Sequence, residues 1–348
     1  IGGSVLFGFS RGKGNEREAR GYFTTGLLMA LVFAALSLTL CNVFFDPLLK
    51  LLGVTPAMHD HAVAYGRVLV TVSPMCIMSS FLQAFVRNDG APKLAMAGVI
   101  SGGVTNVILD YVFIFIMKWG MGGAMLATAT GTTLTVLILS SHFLSKENHL
   151  KPIWNVSLKK VLEIFGNGLA SFILEVSNGF VTLLFNRQLL AYVGDLGVVV
   201  YGIISNTALV VISISNGMAQ AVQPLLSANY GAGKKERIRQ GIRQSVISVI
   251  LFCIVISCGV FVLAQPLMQL FVSETSREII AVGVQYLRIE GACYVGIGIL
   301  FMLYGYYRAV NRPNMSVVLT VISLGTRVLL SYTLSKISWL GVTGIWVS

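Results

Sequence analysis

The sequence predicts an all-α, polytopic membrane protein of two related six-helix lobes. Three observations carry that prediction: an unusually apolar composition, a regular series of apolar runs of membrane-crossing length, and an internal repeat. Hydrophobic residues fill 55% of the 348 positions and charged residues 11%, and the mean hydropathy is +0.80. A soluble domain carries about 25% charged residues. A chain this apolar cannot cover its own surface with polar groups, so lipid must cover much of it.

A helix needs about 20 apolar residues to cross the hydrocarbon layer. Such spans are predicted near 22–45, 62–86, 93–117, 122–144, 161–191, 198–226, 242–270, 280–307 and 314–335. A further one begins near Val342, and the tail of another precedes Arg11. Barrel strands are excluded, because the runs are too long and lack alternation of period two.

The net charge is +11. The basic residues sit in short connections between apolar runs rather than among base-stacking aromatics, which argues for membrane topology and against nucleic acid as a partner. One set of connections holds most of them: Arg11 to Arg20, Arg87 and Lys93, Lys146 to Lys160, Lys234 to Arg243, and Arg308 with Arg312. That set is expected to face the cytoplasm. The five cysteines all lie in apolar segments and form no CxxC pair, so neither disulfides nor a metal centre is expected. His59 and His61 flank Asp60 without further ligands nearby, which reads as a solvated loop. GAGKKER at 231–237 lacks the first glycine and the final hydroxyl of a phosphate loop. Pro74 is expected to kink its helix.

Glu16-Arg17 returns as Glu236-Arg237, Tyr65 and Arg67 as Tyr286 and Arg288, Arg87 and Pro92 as Arg308 and Pro313, and Gly120 and Gly123 as Gly341 and Gly344. With Pro47-Leu48 returning as Pro266-Leu267, the offset stays at 219 to 221 residues. The two copies place their basic connections on the same side, so the repeat is parallel, an arrangement that membrane transporters use. The expected organisation is an N-terminal lobe over 1–144, a polar cytoplasmic linker over 145–160 and a C-terminal lobe over 161–348. By the offset, the mates of the spans at 161–191 and 198–226 lie before residue 1. The first helices and the last are therefore expected to be missing from this chain.

Polar groups inside the spans are the candidate functional residues. Asp110 lies deep in an apolar run, where a carboxylate costs about 2.5–3.5 kcal/mol on insertion scales. Asn106 and Gly102 precede it at four-residue spacing, which puts them on one helix face with room for a neighbour. The next span carries Ala124, Thr128 and Thr132 on one face, and Gln83 lies on the span before. Together they make either an oxygen-rich pocket for a proton or small hard cation, or a satisfied structural network. Glu175 is a second deep acid and shares its helix with Asn178 and Asn186. It is either a group that exchanges a proton or pairs with a cationic substrate, or a packed neutral acid. Glu290 and Arg288 read as an interfacial pair, and Arg67 with Arg288 as headgroup anchors. The repeat mates of Asn106 and Asp110 are Arg327 and Ser331, so an ion site is expected in the first lobe only.

FVRNDGAPKLAM (85–96), NVILDYVFIF (106–115), GMGGAMLATATG (120–131) and QPLLSANYGAGKKERI (223–238) resemble, in order and position, the multidrug and toxic compound extrusion (MATE) family. The RNDG form looks like its bacterial MepA-like branch. The resemblance covers essentially the whole chain. It implies a cation-coupled antiporter that exports amphipathic organic cations by alternating access, with substrate held between the lobes and Na⁺ or H⁺ as the coupling ion. No other cofactor, no enzymatic activity and no metal beyond that ion is implied. It further implies a multi-pass protein of the bacterial inner (plasma) membrane, in contact with membrane lipids, acting as a monomer. Carried over by position, the cation site comprises Asn106, Asp110, Thr128, the carbonyl near Ala124, and Gln83. Glu175, with Asn178 beside it, is the substrate or proton site. The branch that uses that Glu also has an acid on the tenth helix, where this chain has Ile297 and Gly298, and a Pro at the start of the seventh, where Ala170 stands. A lipid-linked oligosaccharide flippase of the same superfamily and a membrane-embedded enzyme are the alternatives. The few basic residues in the spans speak against the first, and short loops with scattered histidines against the second.

Overall fold

Each of the nine apolar runs from 22 to 335 becomes a helix in the computed structural model, which describes residues 1–51, 59–271 and 277–336. The α-helices are α1 (Gly2–Gly12), α2 (Glu16–Val43), α3 (Phe45–Leu51), α4 (His59–Asn88), α5 (Pro92–Asp110), α6 (Gly120–Ser140), α7 (Leu158–Val193), α8 (Asp195–Gly231), α9 (Lys235–Phe271), α10 (Arg277–Ala309) and α11 (Pro313–Leu334). A π-helical segment, Tyr111–Ile116, follows α5, and a 3₁₀ turn, Ser141–Leu144, follows α6. Nine helices among the described residues are long and apolar enough to cross a membrane, one for each predicted span. The expected span near Val342 and the repeat positions Gly341 and Gly344 lie outside the described residues.

Helix ends extend beyond the apolar runs, because caps rather than hydropathy set them. The α2 helix starts at Glu16, where the Asn15 side chain accepts the Glu18 amide at 3.1 Å and two acids occupy the first turn. Proline opens both α5 and α11, where its missing N–H costs nothing. Within α4, Pro74 leaves the Val70 carbonyl without its usual donor. The Ser73 hydroxyl supplies one at 2.8 Å, and the helix runs on.

The repeat is written into these turns. Gly14 and Gly233 both take left-handed backbone (φ 78° and 69°) after α1 and α8. In each case the next amide reaches back to close the helix: Asn15 to the Ser10 carbonyl and Lys234 to the Asn229 carbonyl. Gly90 and Asn311 do the same after α4 and α10, with the Ala91 and Arg312 amides reaching back to Val86 and Tyr307.

Two compact units result, Ile1–Phe165 and Gly166–Ser348. In the first, α4 packs against α2 and α6, α5 against α6, and α1 against α2. Its core is aromatic: Phe7, Phe23 and Phe85 are buried, with the Phe23 and Phe85 rings 5.3 Å apart edge to face. In the second, α10 packs against α8 and α9 around Leu287, Tyr294, Met268 and Val260. A smaller cluster joins Phe185 and Leu189 of α7 to Tyr201 of α8 and Leu324 of α11. The outward faces carry large apolar side chains such as Val107, Ile108, Val255 and Val262, as lipid contact requires. Hydroxyls on the spans turn inward to their own backbone: Thr25, Thr71, Thr133, Thr182 and Thr320 each bond the carbonyl four residues back.

Candidate functional site

The α5 and α6 helices cross backbone to backbone. A Cβ added at Gly102 would lie 2.5 Å from the Gly131 carbonyl oxygen, and one at Gly131 would strike the Gly102 carbonyl in turn. Small residues permit that approach. Thr135 seals it by donating at 3.1 Å to the Gly98 carbonyl across the crossing.

One turn along, the same crossing brings Asn106 to Thr128. Asn106 Nδ2 donates to Thr128 Oγ1 at 3.2 Å, and that hydroxyl donates to the Ala124 carbonyl at 3.2 Å. The direction of this chain matters. The amide nitrogen of Asn106 is engaged, and its carbonyl oxygen accepts no bond from any described residue. Asp110 follows one turn further on α5, half-buried, with no hydrogen bond or ion pair to another described residue. Two oxygen ligand groups without donors thus share one helix face, a donor set suited to a hard cation or a proton.

The backbone at Asp110 is also unusual. The α-helix ends there and six residues of π-helix follow, with the Met117 amide reaching back to the Val112 carbonyl at 2.8 Å. Such segments insert an extra residue per turn and concentrate at functional sites. The aromatic-rich run YVFIFI carried no signal for it beyond a helical period.

The other sequence candidates are placed separately. Gln83, on α4, spends its amide on Ser79 Oγ of its own helix at 3.0 Å and makes no hydrogen bond to the Asn106 group. Thr132 likewise adds no bond to it. Glu175 and Asn178 belong to the second unit, on α7. Glu175 is exposed within the described chain, and the Asn178 carbonyl accepts Thr182.

Three polar features were not anticipated. Asp89, the acid of the RNDG motif, has a fully buried carboxylate. It accepts Arg11 Nη1 at 2.8 Å, His142 Nε2 at 2.8 Å and the His149 amide at 2.9 Å. The His149 ring nitrogen lies 3.3 Å away without hydrogen-bond geometry. Arg11 is therefore a structural tie as well as a topological charge. Arg308, expected in a solvated connection, is buried, and donates to Ser171 Oγ at 2.8 Å and to the Tyr304 carbonyl at 3.1 Å. It lies within electrostatic reach of Glu175, one turn from Ser171. Glu290 sits near the middle of α10 rather than at an interface. One of its oxygens is buried without a donor among the described residues, and Arg327 is an opposing charge within electrostatic reach. Arg288 is occupied elsewhere, over the Phe261 ring and bonded to the Phe261 carbonyl at 3.2 Å.

Residues 1–112 and 169–333 match the MatE family model. The chain belongs to the MatE family. This MatE chain is 25% identical over 302 residues to the multidrug export protein MepA of Staphylococcus aureus strain N315, covering 85% of the chain and 65% of that protein. It therefore spans less than two thirds of the length of that relative. It is 26% identical over 326 residues to MepA of Staphylococcus haemolyticus, covering 92% of the chain and 70% of that protein. Its fold matches a structure described as the outward-facing conformation of a multidrug resistance MATE family transporter. The TM-score is 0.92 at 20% identity, over 99% of this chain and 78% of that one. The MatE chain is accordingly a multi-pass, all-helical membrane protein.

Proposed function

We propose that this MatE protein exports amphipathic organic cations across the bacterial plasma membrane by alternating access, in exchange for Na⁺ or H⁺. The observation that carries the reading is the Asp110 carboxylate. It has no hydrogen-bond or ion-pair partner among the described residues, stands one turn from an Asn106 carbonyl that accepts no bond from them, and sits where α-helix gives way to π-helix. Asp110 takes the ion, Asn106 supplies a neutral oxygen, and Thr128 with the Ala124 carbonyl holds Asn106 in place. Gln83 on the neighbouring α4 completes the group when a conformational change turns it from Ser79. Glu175 and Asn178 serve the substrate or a second proton, with Arg308 as the charge that answers Glu175. The MepA relatives are named multidrug export proteins, which supports drug export in general, while the cationic class rests on the family resemblance.

An ion drives the cycle only if its affinity differs between the two states. Each charge crossing 100 mV supplies about 2.3 kcal/mol. The deciding assay is efflux of an ethidium-like dye from proteoliposomes under either a Na⁺ or a pH gradient. One gradient is expected to drive export, and Asp110→Asn is expected to abolish it with the protein level in the membrane unchanged. Undiminished export by that variant would remove Asp110 from the mechanism.

A further inference from the structure

The first unit holds another polar site that shares no residue with the α5–α6 group. A cavity of about 530 Å³ is lined by Glu16, Arg17 and Arg20 of α2 and by Ile153, Trp154 and Asn155. Its second wall is pinned to the first where the Ile153 amide donates to Thr24 Oγ1 of α2 at 2.9 Å, and is braced from α7 where Lys160 Nζ donates to the Asn155 carbonyl at 2.8 Å.

Glu16 and Arg20 stand four residues apart with the acid first, the order in which a helical pair closes best. Here they form no ion pair. Glu16 turns one oxygen to Arg11 Nε at 3.4 Å, and its other oxygen is buried without a partner among the described residues. Arg20 Nε is likewise buried without a partner among them. Stranding such groups is costly, so the cavity offers an unmatched acceptor and an unmatched cationic donor to whatever fills it. Arg17 adds a second guanidinium, and Trp154 is 92% exposed. The complement is a ligand with an anion and an ammonium close together. The α2 helix is a membrane-crossing candidate from Glu16 onward, which puts this end at the level of lipid headgroups, where tryptophan is at home.

We propose that the cavity binds the phosphoethanolamine headgroup of a bilayer lipid. Arg20 and Arg17 take the phosphate, and Glu16 takes the ammonium, with the Trp154 ring alongside it. A purely basic pocket selects anionic lipid. The buried Glu16 oxygen turns the preference to a zwitterion, and its need for an N–H donor disfavours choline. None of this depends on the ion proposed at Asp110.

The test is mass spectrometry of intact protein–lipid complexes in detergent. Phosphatidylethanolamine, phosphatidylcholine and phosphatidylglycerol are offered at equal concentration. Ethanolamine lipid is expected to be retained about tenfold better than either other lipid, the scale of one hydrogen bond to a charged group. Glu16→Gln is expected to shift the preference to phosphatidylglycerol, and Arg20→Gln to weaken both. Trp154→Ala, at an exposed position that leaves the fold intact, is expected to lower ethanolamine-lipid retention while the melting temperature stays unchanged. Free O-phosphoethanolamine that competes as strongly as the lipid would overturn the bilayer as the source. Equal retention of all three lipids, or a preference that survives both Glu16→Gln and Arg20→Gln, would overturn the site.

Discussion

Removing the Asp89 carboxylate is expected to be the most damaging single change in the first unit outside its apolar core. Its side chain has no exposure and accepts three donors at 2.8–2.9 Å, from α1, the 3₁₀ turn after α6 and the following segment. In Asp89→Ala the three donors fare differently. The Arg11 side chain is 25% exposed and keeps Glu16 at 3.4 Å, so it recovers water and a partner. The His149 amide is partly buried and recovers in part. The His142 ring is 2% exposed and recovers nothing. The lost His142 bond costs about 1.5 kcal/mol and its stranded donor about 1–3 kcal/mol more, while the half-recovered His149 amide adds under about 1 kcal/mol. The total is about 3–5 kcal/mol, the range found when a buried ionic pair loses one member. Asp89→Asn keeps the shape and one acceptor oxygen but turns an N–H₂ toward a donor, so roughly half that loss is expected. Reversible unfolding in mixed detergent micelles, followed by helical circular dichroism, measures both. A double-mutant cycle with His142→Ala should show coupling of about 1 kcal/mol or more. Asp89→Ala within about 0.5 kcal/mol of the parent would refute the claim that this carboxylate ties the three segments together.

Two further changes probe the α5–α6 crossing. Gly131→Val forces a side chain into the Gly102 carbonyl and Asn106, and should cost about 1–3 kcal/mol in the same unfolding assay; an unchanged midpoint would contradict the close approach. Asn106→Leu keeps the γ-branched shape but removes the neutral oxygen near Asp110. The coupling-ion concentration for half-maximal dye export should rise about tenfold, with Thr128→Val showing a smaller rise; no change in either would place the ion elsewhere.

Much of this architecture was readable from residue order. The nine spans follow from apolar run length, because lipid offers the backbone no hydrogen-bond partner and leaves helix as the only local solution. The repeat was readable because equivalent turns need equivalent residues: glycine or asparagine at the left-handed positions Gly90 and Asn311, and proline at Pro92 and Pro313. The meeting of Asn106 with Thr128 was legible in part, from polar residues at four-residue spacing on consecutive helices facing a glycine. Gln83 had the same credentials, yet a local partner, Ser79, was closer at hand.

Charged side chains away from the helix period were not legible. Asp89 meets partners 53, 60 and 78 residues distant, and no spacing rule links such positions. Arg308 looked like one more basic residue in a connection until packing buried it against Ser171. Glu16 and Arg20 had the spacing of a closed pair, and only the segment carrying Trp154 revealed a cavity beside them. Hydropathy settles where helices run, since that depends on each segment and its solvent. Which ionisable groups are matched and which are left waiting for a ligand depends on distant segments arriving at one place, and packing alone decides that.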